Sequence, residues 1–440
     1  MKRTLPLSPK AANTKKRRID IPDYHLTPSA HNEDGEIIWP APADQIESAR
    51  NFILECVAAN EKTLIVPDKD ADGLTSGSIL QKTLVLLGLG PALISVHLLQ
   101  KGGNIHGDEE RAAMAAYNPS YIFILDQGSR KSPPVISPPH KALVIDHHYA
   151  LDDDLPQHSL HVTACNSPPV STSSLLTYLI CSELHEQVST ACDWLCIMGT
   201  HGDLGNTLKW QPPFPDMSAA FKKYTKKAIN DAVSLINAPR RTSSYQVRAA
   251  WDALTAASGP GDLLSNRTLL AARAEVNAEV ERCTHTAPQF SSDAKIAVFR
   301  ISSAAQIHPV IATRWAGHLS SAKLEVVLVA NEGYLPEMVN FSCRVPRSAR
   351  ARSPPVNIIE VLGSVADRAP DTTLRKRLGD SFARGHKEAS GGIVPKAEFE
   401  ELMNILEVGK KSEGSQRKSR KGKDARPQQG NTLLNYFGKK

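Results

Sequence analysis

The chain has 440 residues, and 41% of them are hydrophobic, which is enough material for two or three domains with buried cores. With 22% charged residues and no apolar run of eighteen residues, the composition argues against a membrane-spanning helix. The formal charge of +6 suggests a nucleic-acid-binding protein at first sight. That interpretation is weak, however, because the charge is unevenly spread.

The positive charge lies at the two ends of the chain. Residues 1–18 carry +7 and residues 410–440 carry +8, which leaves −9 for residues 19–409. Both ends are rich in Lys, Arg, Ser and Gln or Pro, a composition typical of disordered segments. We therefore expect disordered basic tails over 1–28 and 409–440, on either side of an acidic body.

Helical and strand patterns alternate through the first half of this body. The apolar spacing predicts helices near 44–61, 75–87, 108–117, 171–186 and 190–198, and strands at 63–66, 93–98, 121–125 and 142–145. Such alternation is typical of a parallel sheet covered by helices on both faces. We interpret residues 29–215 as one α/β domain.

The second half divides into a helical stretch and a smaller α/β domain. Residues 216–289 are predicted to form a mostly helical connector, and residues 290–408 a second domain. In that domain the pattern predicts strands at 296–299, 325–329 and 338–344, and helices at 308–320 and 396–406. The expected fold class is thus α/β, with two domains, a helical connector and disordered basic tails.

Four segments place aspartate directly after an apolar run. They are Asp68-Lys-Asp70-Ala-Asp72-Gly73, Asp126-Gln-Gly-Ser129, Asp146-His147-His148 and Gly199-Thr-His201-Gly-Asp203. In an α/β sheet, ligands bind beyond the carboxyl ends of the strands. We expect all four apolar runs to end at the same edge of one sheet, so that these side chains meet in one crevice.

Several carboxylates in one crevice require cations to neutralise them. Oxygen donors with one or two imidazoles suit Mn²⁺ or Mg²⁺, and a pair of such ions needs a bridging carboxylate. Calcium in an EF-hand loop is excluded, because position twelve would be Ile79 and not a bidentate Glu. Each aspartate taken singly could be only a helix cap, and His201 only a loop residue.

The four segments together resemble the DHH phosphoesterases, and more narrowly their RecJ-like single-strand exonuclease branch. The similar motifs are DADG at 70–73, ILDQG at 124–128, VIDHH at 144–148 and GTHGDLG at 199–205. Asn166-Ser-Pro168 before a Ser/Thr-rich helix start, and Ile236-Asn-Ala-Pro-Arg-Arg241, are also similar to that branch. Residues 385–392 resemble the signature of its accessory domain, DHHA1.

The resemblance implies two divalent metal ions, with Mn²⁺ favoured and Mg²⁺ possible. One ion would be held by Asp70 and Asp126, with Asp68 where many relatives place His. The other would be held by Asp72, Asp126, His147 and Asp203, which makes Asp126 the bridge. Asp146 and His148 are expected to be catalytic. His148 would either face the scissile phosphate or orient the site through a hydrogen bond.

Substrate contacts are expected from the connector and the second domain. His386, with the backbone at Gly385 and Gly391, would hold nucleic-acid phosphate, and Arg241 and Arg344 are further candidates. For each arginine the alternative is a solvated surface charge. Two departures from the family pattern are Ala383-Arg384, where further glycines are usual, and Pro239-Arg240, where Ala-Gly is usual.

The sequences of the two tails predict a cellular location and binding partners. Lys2-Arg3 followed by residues 15–18 has the spacing of a bipartite nuclear import signal, so we expect a nuclear protein that binds an import receptor. Leu433, Tyr436 and Phe437 resemble the peptide that docks on the replication sliding clamp. The alternatives are a nonspecific basic arm and a chance apolar terminus.

These observations predict a two-metal phosphodiesterase that hydrolyses single-stranded nucleic acid, an exonuclease of DNA replication or repair. One alternative keeps the chemistry but has a smaller substrate, such as an oligonucleotide, a nucleotide phosphate or polyphosphate. Another alternative is a non-catalytic replication scaffold. The presence of every expected metal ligand speaks against the scaffold.

Overall fold

The computed structural model describes residues 29–151, 153–379 and 381–410. Residues 1–28 and 411–440, on which the predictions of an import signal and of a clamp-binding peptide rest, lie outside the described residues. None of the helices in the described part is both long and apolar enough to span a membrane.

The first sheet has five parallel strands in the order β2-β1-β3-β4-β5. Its strands are β1 (Thr63–Pro67), β2 (Ile94–Val96), β3 (Tyr121–Leu125), β4 (Lys141–Asp146) and β5 (Ser159–Thr163). The helices of this domain are α1 (Ala43–Ala59), α2 (Ala71–Leu86), α3 (Asp108–Ala115), α4 (Ser173–Ser182), α5 (Glu186–Ala191) and α6 (Asp193–Leu204). The predicted α/β class and parallel sheet are confirmed.

Both faces of this sheet are buried at the central strands β1, β3 and β4, which are apolar at successive positions. On β1, Ile65 packs into the core formed with α1, α2, α4 and α6, whereas Leu64 and Val66 pack on the opposite face with Met114 of α3. When a strand is apolar at every position, its sequence alone does not show which residues share a face. The central strands are therefore covered on both faces, while Leu160 of the edge strand β5 is 46% exposed.

Five helices connect the two sheets: α7 (Ser218–Lys223), α8 (Lys226–Asn237), α9 (Val247–Ala256), α10 (Pro260–Leu264) and α11 (Arg267–Thr284). A 3-10 turn, Pro239–Arg241, lies between α8 and α9. This arrangement agrees with the helical composition expected for the connector.

The second sheet is mixed and has the order β10-β11-β9-β8-β7-β6, with only β7 and β8 parallel. Its strands are β6 (Gln289–Phe290), β7 (Ile296–Ile301), β8 (Val326–Asn331), β9 (Met338–Arg344), β10 (Arg384–His386) and β11 (Ala389–Pro395). Its helices are α12 (His308–His318), α13 (Ile358–Ala366), α14 (Leu374–Arg377) and α15 (Lys396–Ile405).

Two sequence expectations about local structure were wrong. The helix predicted from Thr75 begins at Ala71, because Asp70 caps it. The helix predicted at 190–198 is present as α6, so the apolar run before Gly199 does not end at the edge of the sheet as expected, and Asp203 reaches the site from the last turn of that helix. A five-residue apolar run fits a buried strand and a buried helix equally well, and periodicity does not separate them.

Candidate metal centre

The loop after β1 begins the site. The carboxylate of Asp70 accepts hydrogen bonds from the backbone N–H groups of Asp72 (3.1 Å) and Gly73 (3.3 Å), and so caps α2. Capping uses Oδ1 of Asp70, while its Oδ2 lies 3.6 Å from the guanidinium of Arg240. The cap interpretation considered for these aspartates therefore applies to Asp70, and one oxygen still faces the cluster.

Asp72 is fully buried against the start of α4. Its two carboxylate oxygens accept hydrogen bonds from the N–H groups of Ser173 (2.8 Å) and Ser174 (3.0 Å). The Ser173 hydroxyl also donates to Asp126 Oδ1 at 3.0 Å. A helix N-terminus stabilises negative charge, so α4 holds both carboxylates in place. The Ser/Thr-rich helix start was the sequence signal for this support, although Ser173 was not predicted as a site residue.

Asp126 follows β3 with a backbone φ of 62°, and its N–H donates to Ile145 O at 2.9 Å. The left-handed region is uncommon for residues other than glycine, although aspartate is among those that tolerate it best. This turn directs a side chain that is only 3% exposed towards the other acidic residues. Backbone strain of this kind is typical of functional sites.

Asp146 ends β4 and orients the two histidines that follow it. Its Oδ1 accepts hydrogen bonds from the N–H groups of His147 (2.8 Å) and His148 (3.3 Å) and contacts His148 Nδ1 at 2.8 Å. Its Oδ2 accepts from the N–H of Ser129 at 3.2 Å. Because both oxygens of Asp146 already have partners within the protein, the geometry favours a role in positioning His147 and His148. These bonds leave Nε2 of the half-exposed His148 ring for substrate.

His147 Nε2 is the clearest sign of a bound cation. It is buried and has no hydrogen-bond partner among the described residues. Carboxylate oxygens nevertheless surround it, at 3.2 Å (Asp203 Oδ2), 3.3 Å (Asp126 Oδ1) and 3.9 Å (Asp72 Oδ2). Ligands of one small cation at about 2.1 Å lie roughly 3 Å from one another. The spacing therefore fits atoms that share an ion better than atoms that share a proton.

The predicted ligands form groups compact enough to hold metal ions. These groups are Asp68 with Asp70 and Asp126, Asp72 with His147 and Asp203, and Asp126 with His147 and His148. Asp126 belongs to the first group and lies 3.3 Å from the imidazole of the second, the place expected of a bridge. Oxygen donors with one or two imidazoles suit Mn²⁺ or Mg²⁺, so these residues fit the implied ions.

Without cations the cluster is electrostatically strained. Burial raises the pKa of Asp72 to about 6, and the nearby Asp203 carboxylate adds to the shift. Burial also raises the pKa of Asp126 well above its usual value, with Asp72 as the next cause. For His147, burial opposes protonation, but Asp126 and Asp203 outweigh it and the pKa rises. Divalent cations would replace these protons as the source of positive charge.

The connector brings positive charge to the same edge. Asn237 at the end of α8 accepts hydrogen bonds from Arg240 Nε (3.2 Å) and from the N–H of Ala71 (3.3 Å), which joins the connector to α2. Arg240 thereby faces Asp70, a contact that nothing in the local sequence predicts. Burial, with the neighbouring Arg240 charge, lowers the pKa of Arg241 to about 9. No acidic group is hydrogen-bonded to Arg241 in the described structure, so its charge is available to an anion.

The second domain contributes Arg344 and a buried histidine to this positive region. Arg344 donates to Ser342 Oγ (2.9 Å) and to Cys343 O (2.8 Å), both uncharged partners. Burial, followed by the charges of Arg344 and Arg241, lowers the pKa of His308 to about 3. The two predicted arginines therefore lie near one another, and neither is a fully solvated surface charge.

His386, on β10, lies near the edge that holds the candidate metal ligands. Its ring lies 6.0 Å from the ring of His148, with an angle of 17° between the planes. Gly385 has a φ of +108°, and a Cβ there would lie 2.6 Å from Ala389 O; a Cβ at Gly391 would lie 2.4 Å from Phe341 O. Strand packing alone thus requires both glycines. Phosphate binding at their backbone stays a prediction.

His201 lies near the end of α6 and is buried, and its contacts are those of a structural residue. Its Nε2 accepts from Trp210 Nε1 at 3.2 Å, so Nδ1 carries the proton and donates to Asn230 Oδ1 at 2.9 Å. It packs against an aromatic cluster that includes Phe221. This histidine anchors the end of α6 to α8 and thereby positions Asp203.

We expect His308 to make the fold sensitive to acid. The unfolded chain takes up a proton on this histidine below pH 6.5, whereas the folded chain excludes it until about pH 3. Stability is thus lost as pH falls through this window, by roughly 2 kcal/mol between pH 7 and pH 5. Urea unfolding of wild type and His308→Gln at both pH values checks this expectation. Equal acid sensitivity of the two proteins would contradict it.

The comparisons with known proteins agree with this geometry. Residues 62–200 match the DHH family, N-terminal domain. No curated protein sequence matches the chain significantly.

Among solved structures, RecJ in complex with Mn²⁺ from Thermus thermophilus is 18% identical, with a TM-score of 0.58 over 84% of this chain and 55% of that chain. An exonuclease RecJ bound to manganese is also 18% identical, with a TM-score of 0.56 over 84% of this chain and 95% of that one. The DHH domain of a protein assigned to a family of ribosomal proteins is 14% identical, with a TM-score of 0.58 and coverages of 83% and 91%.

The chain thus spans about half the length of the Thermus RecJ structure and nearly all of the second one. At these identities the likeness establishes the fold, and the family match covers the segment that holds all the predicted metal ligands except Asp203. Residues 62–200 therefore form a DHH-family domain, within a chain that has a RecJ-like fold.

Proposed function

We propose that this protein is a metal-dependent phosphodiesterase that hydrolyses single-stranded nucleic acid. The observation that carries the proposal is the orphaned, buried Nε2 of His147 among the carboxylates of Asp72, Asp126 and Asp203. Burying several carboxylates around one imidazole costs free energy of desolvation and charge repulsion. Cation binding offsets that cost and so explains the arrangement.

Bound divalent ions would activate water and stabilise the negative charge that develops on the phosphoryl oxygens. The chain's own residues position the substrate and move protons. Arg241 and Arg344 offer unpaired positive charge to phosphate on the second-domain side of the crevice. His148, held through Nδ1 by Asp146, presents Nε2 towards the scissile phosphate or its leaving group.

A single strand is the favoured substrate because the motifs resemble those of the single-strand exonuclease branch, and because His386 of the second sheet lies 6.0 Å from His148 at the same site. The structural neighbours bound to manganese include a protein described as an exonuclease, which supports the same reaction class. Action in DNA replication or repair is part of this proposal, and the clamp-like peptide with Leu433, Tyr436 and Phe437 supports it.

The substrate is tested with strands of graded length, with duplex, and with strands blocked at one end. We expect Mn²⁺-dependent release of nucleotides from long single strands, little action on duplex, and inhibition by a block at one end only. Preference for dinucleotides over long strands would favour the smaller-substrate alternative. Cleavage that ignores both blocks would show an endonuclease and would contradict the exonuclease proposal.

The scaffold alternative makes a different prediction about metal. A scaffold has no need for the ligand groups at Asp126 and should hold no stoichiometric Mn²⁺. Metal analysis of the purified protein after dialysis against Mn²⁺ separates the two functions.

We also propose that the protein acts in the nucleus. The support is the spacing of basic residues at 2–3 and 15–18 for an import receptor, and Leu433, Tyr436 and Phe437 for the sliding clamp. All of these residues lie outside the described structure. Their test is localisation of the full chain and of a variant with residues 15–18 changed to alanine, together with clamp binding by wild type and Phe437→Ala.

A further inference from the structure

A pocket of about 490 Å³ opens on the side of strand β2. Strand β2 is the edge strand and runs parallel to β1, and the N–H of His97 still donates to Ile65 O at 3.0 Å. The segment that follows β2 therefore leaves the sheet at the same edge as Asp68. Leu98, Leu99 and Gln100 of this segment line the pocket.

Hydrogen bonds and a ring contact hold the pocket residues His97, Gln100 and Tyr117 in place. His97 Nε2 lies 2.7 Å from Glu110 Oε2, and Glu110 Oε1 accepts from the N–H of Gln100 at 2.8 Å. The ring of His97 in turn packs against the edge of Tyr117, at 5.9 Å between centroids and an angle of 77°. Since His97 and Glu110 are both buried, these contacts fix the loop and the Tyr117 ring before any ligand arrives.

The lining has the chemistry of a site for a flat aromatic ligand with a charged end. Tyr117 and Tyr245 provide two rings, Leu98 and Val247 provide apolar surface, and Arg248 provides a cation. The side chain of Arg248 is 60% exposed, and its nearest carboxylate, Asp252, lies 3.8 Å away. Stacking of a nucleobase on such a ring contributes about 1–3 kcal/mol, and an exposed guanidinium readily meets phosphate.

Tyr245 carries two features that its role in the fold does not explain. Its backbone is in the left-handed region (φ 53°), where a bulky residue is a rare outlier. Its hydroxyl is buried without a hydrogen-bond partner among the described residues, at a cost of about 1–3 kcal/mol. Tyr245 lies in the segment between Pro239 and Gln246, which includes Arg240 and Arg241. The N–H of Gln246 donates to Pro239 O at 2.9 Å and so brings the two ends of this segment together.

We propose that this pocket binds the base of one nucleotide, with Tyr117 and Tyr245 against the base and Arg248 at its phosphate. The inference rests on the proposed function, which supplies the nucleotide either as part of a strand or as the released product. A base bound there would hold one nucleotide at a fixed place on the β2 side of the sheet.

The test measures binding by the full chain in EDTA, where hydrolysis does not occur. Deoxyadenosine monophosphate should bind, while deoxyribose phosphate, which lacks the base, should bind at least about tenfold more weakly. Ala116 is an exposed lining residue, so Ala116→Trp should fill the pocket and weaken nucleotide binding by a similar factor. Ala112→Trp, on the same exposed helix but outside the lining, should bind like wild type.

Equal binding by wild type and Ala116→Trp, or equal affinity for the two phosphates, would overturn the proposal. Oligonucleotides that lack single bases distinguish the two sources: weaker binding of an abasic strand assigns the pocket to the strand, and binding of the free nucleotide alone assigns it to product. Hydrolysis of a base-free diester, bis(p-nitrophenyl) phosphate, with Mn²⁺ tests the proposed function separately. If the chain cleaves this diester but shows no base-dependent binding, the pocket proposal is wrong and the proposed function stands.

Discussion

Asp126→Asn should lose more than about 100-fold in phosphodiesterase activity and at least one of its bound metal ions, while remaining folded. Asp126 belongs to two of the three ligand groups and joins the carboxylates of Asp68 and Asp70 to the histidines, so its loss affects both ions. Loss of residues that merely support a metal ligand already costs about 10–100-fold. Metal content by mass spectrometry and initial rates with a single strand measure the two effects.

The same substitution should not reduce the stability of the metal-free protein. Burial and the Asp72 charge already raise the pKa of Asp126, so the neutral amide removes an unfavourable charge. Asp153→Asn provides the control, because it makes the same chemical change at an exposed aspartate paired with Lys131. If Asp126→Asn keeps the metal content and rate of Asp153→Asn, the assignment of the centre is wrong.

Arg241→Met should separate substrate binding from stability. A charge-assisted hydrogen bond to phosphate contributes about 1.5–3 kcal/mol, so kcat/KM on single strands should fall by about 10–150-fold. The folded protein should at the same time be unchanged or more stable by on the order of 1 kcal/mol, since an unpaired cation is removed from a partly buried place. Steady-state kinetics and urea unfolding measure the two quantities.

Arg282→Met is the matched control in the same connector. Arg282 Nε donates to Glu279 at 2.8 Å and the guanidinium also donates to Ser302 O at 2.9 Å, so this arginine has structural partners. We expect it to lose stability and to keep activity, the reverse of Arg241→Met. If Arg241→Met instead lowers stability and leaves kcat/KM intact, Arg241 is a structural residue.

The grouping of the candidate metal ligands was the most predictable part of the molecule. Asp68, Asp126 and Asp146 each follow or end a short apolar strand, and parallel strands bring such residues to one edge without any knowledge of strand order. The sequence could also indicate the ion class, because oxygen donors with few imidazoles limit the choice.

Other features depend on packing over long sequence distances. Asp203 arrives from α6, whose apolar run fits either a helix or a strand. Ser173 supports Asp72 across 101 positions of the chain, and Arg240 meets Asp70 only because Asn237 joins α8 to α2. A side chain's partner in another element is set by how helices pack on the sheet, and local periodicity contains no such information.

Short or irregular strands were missed for a related reason. β5 follows a turn-rich segment and is the last strand at one edge of its sheet, so its apolar pattern is incomplete. β10 and β11 form a glycine-rich hairpin that predicts a loop by composition. Their pairing with β9 is what places His386 near His148. This part of the site could not be assembled from the sequence.

The most direct test of the central claim is digestion of an end-labelled single strand by the full chain over a range of Mn²⁺ concentrations. The proposed function predicts nucleotide release that requires Mn²⁺, stops with EDTA, and is absent in a variant that combines Asp146→Ala with His147→Ala. No release at any Mn²⁺ concentration, or equal release by wild type and this variant, would contradict it.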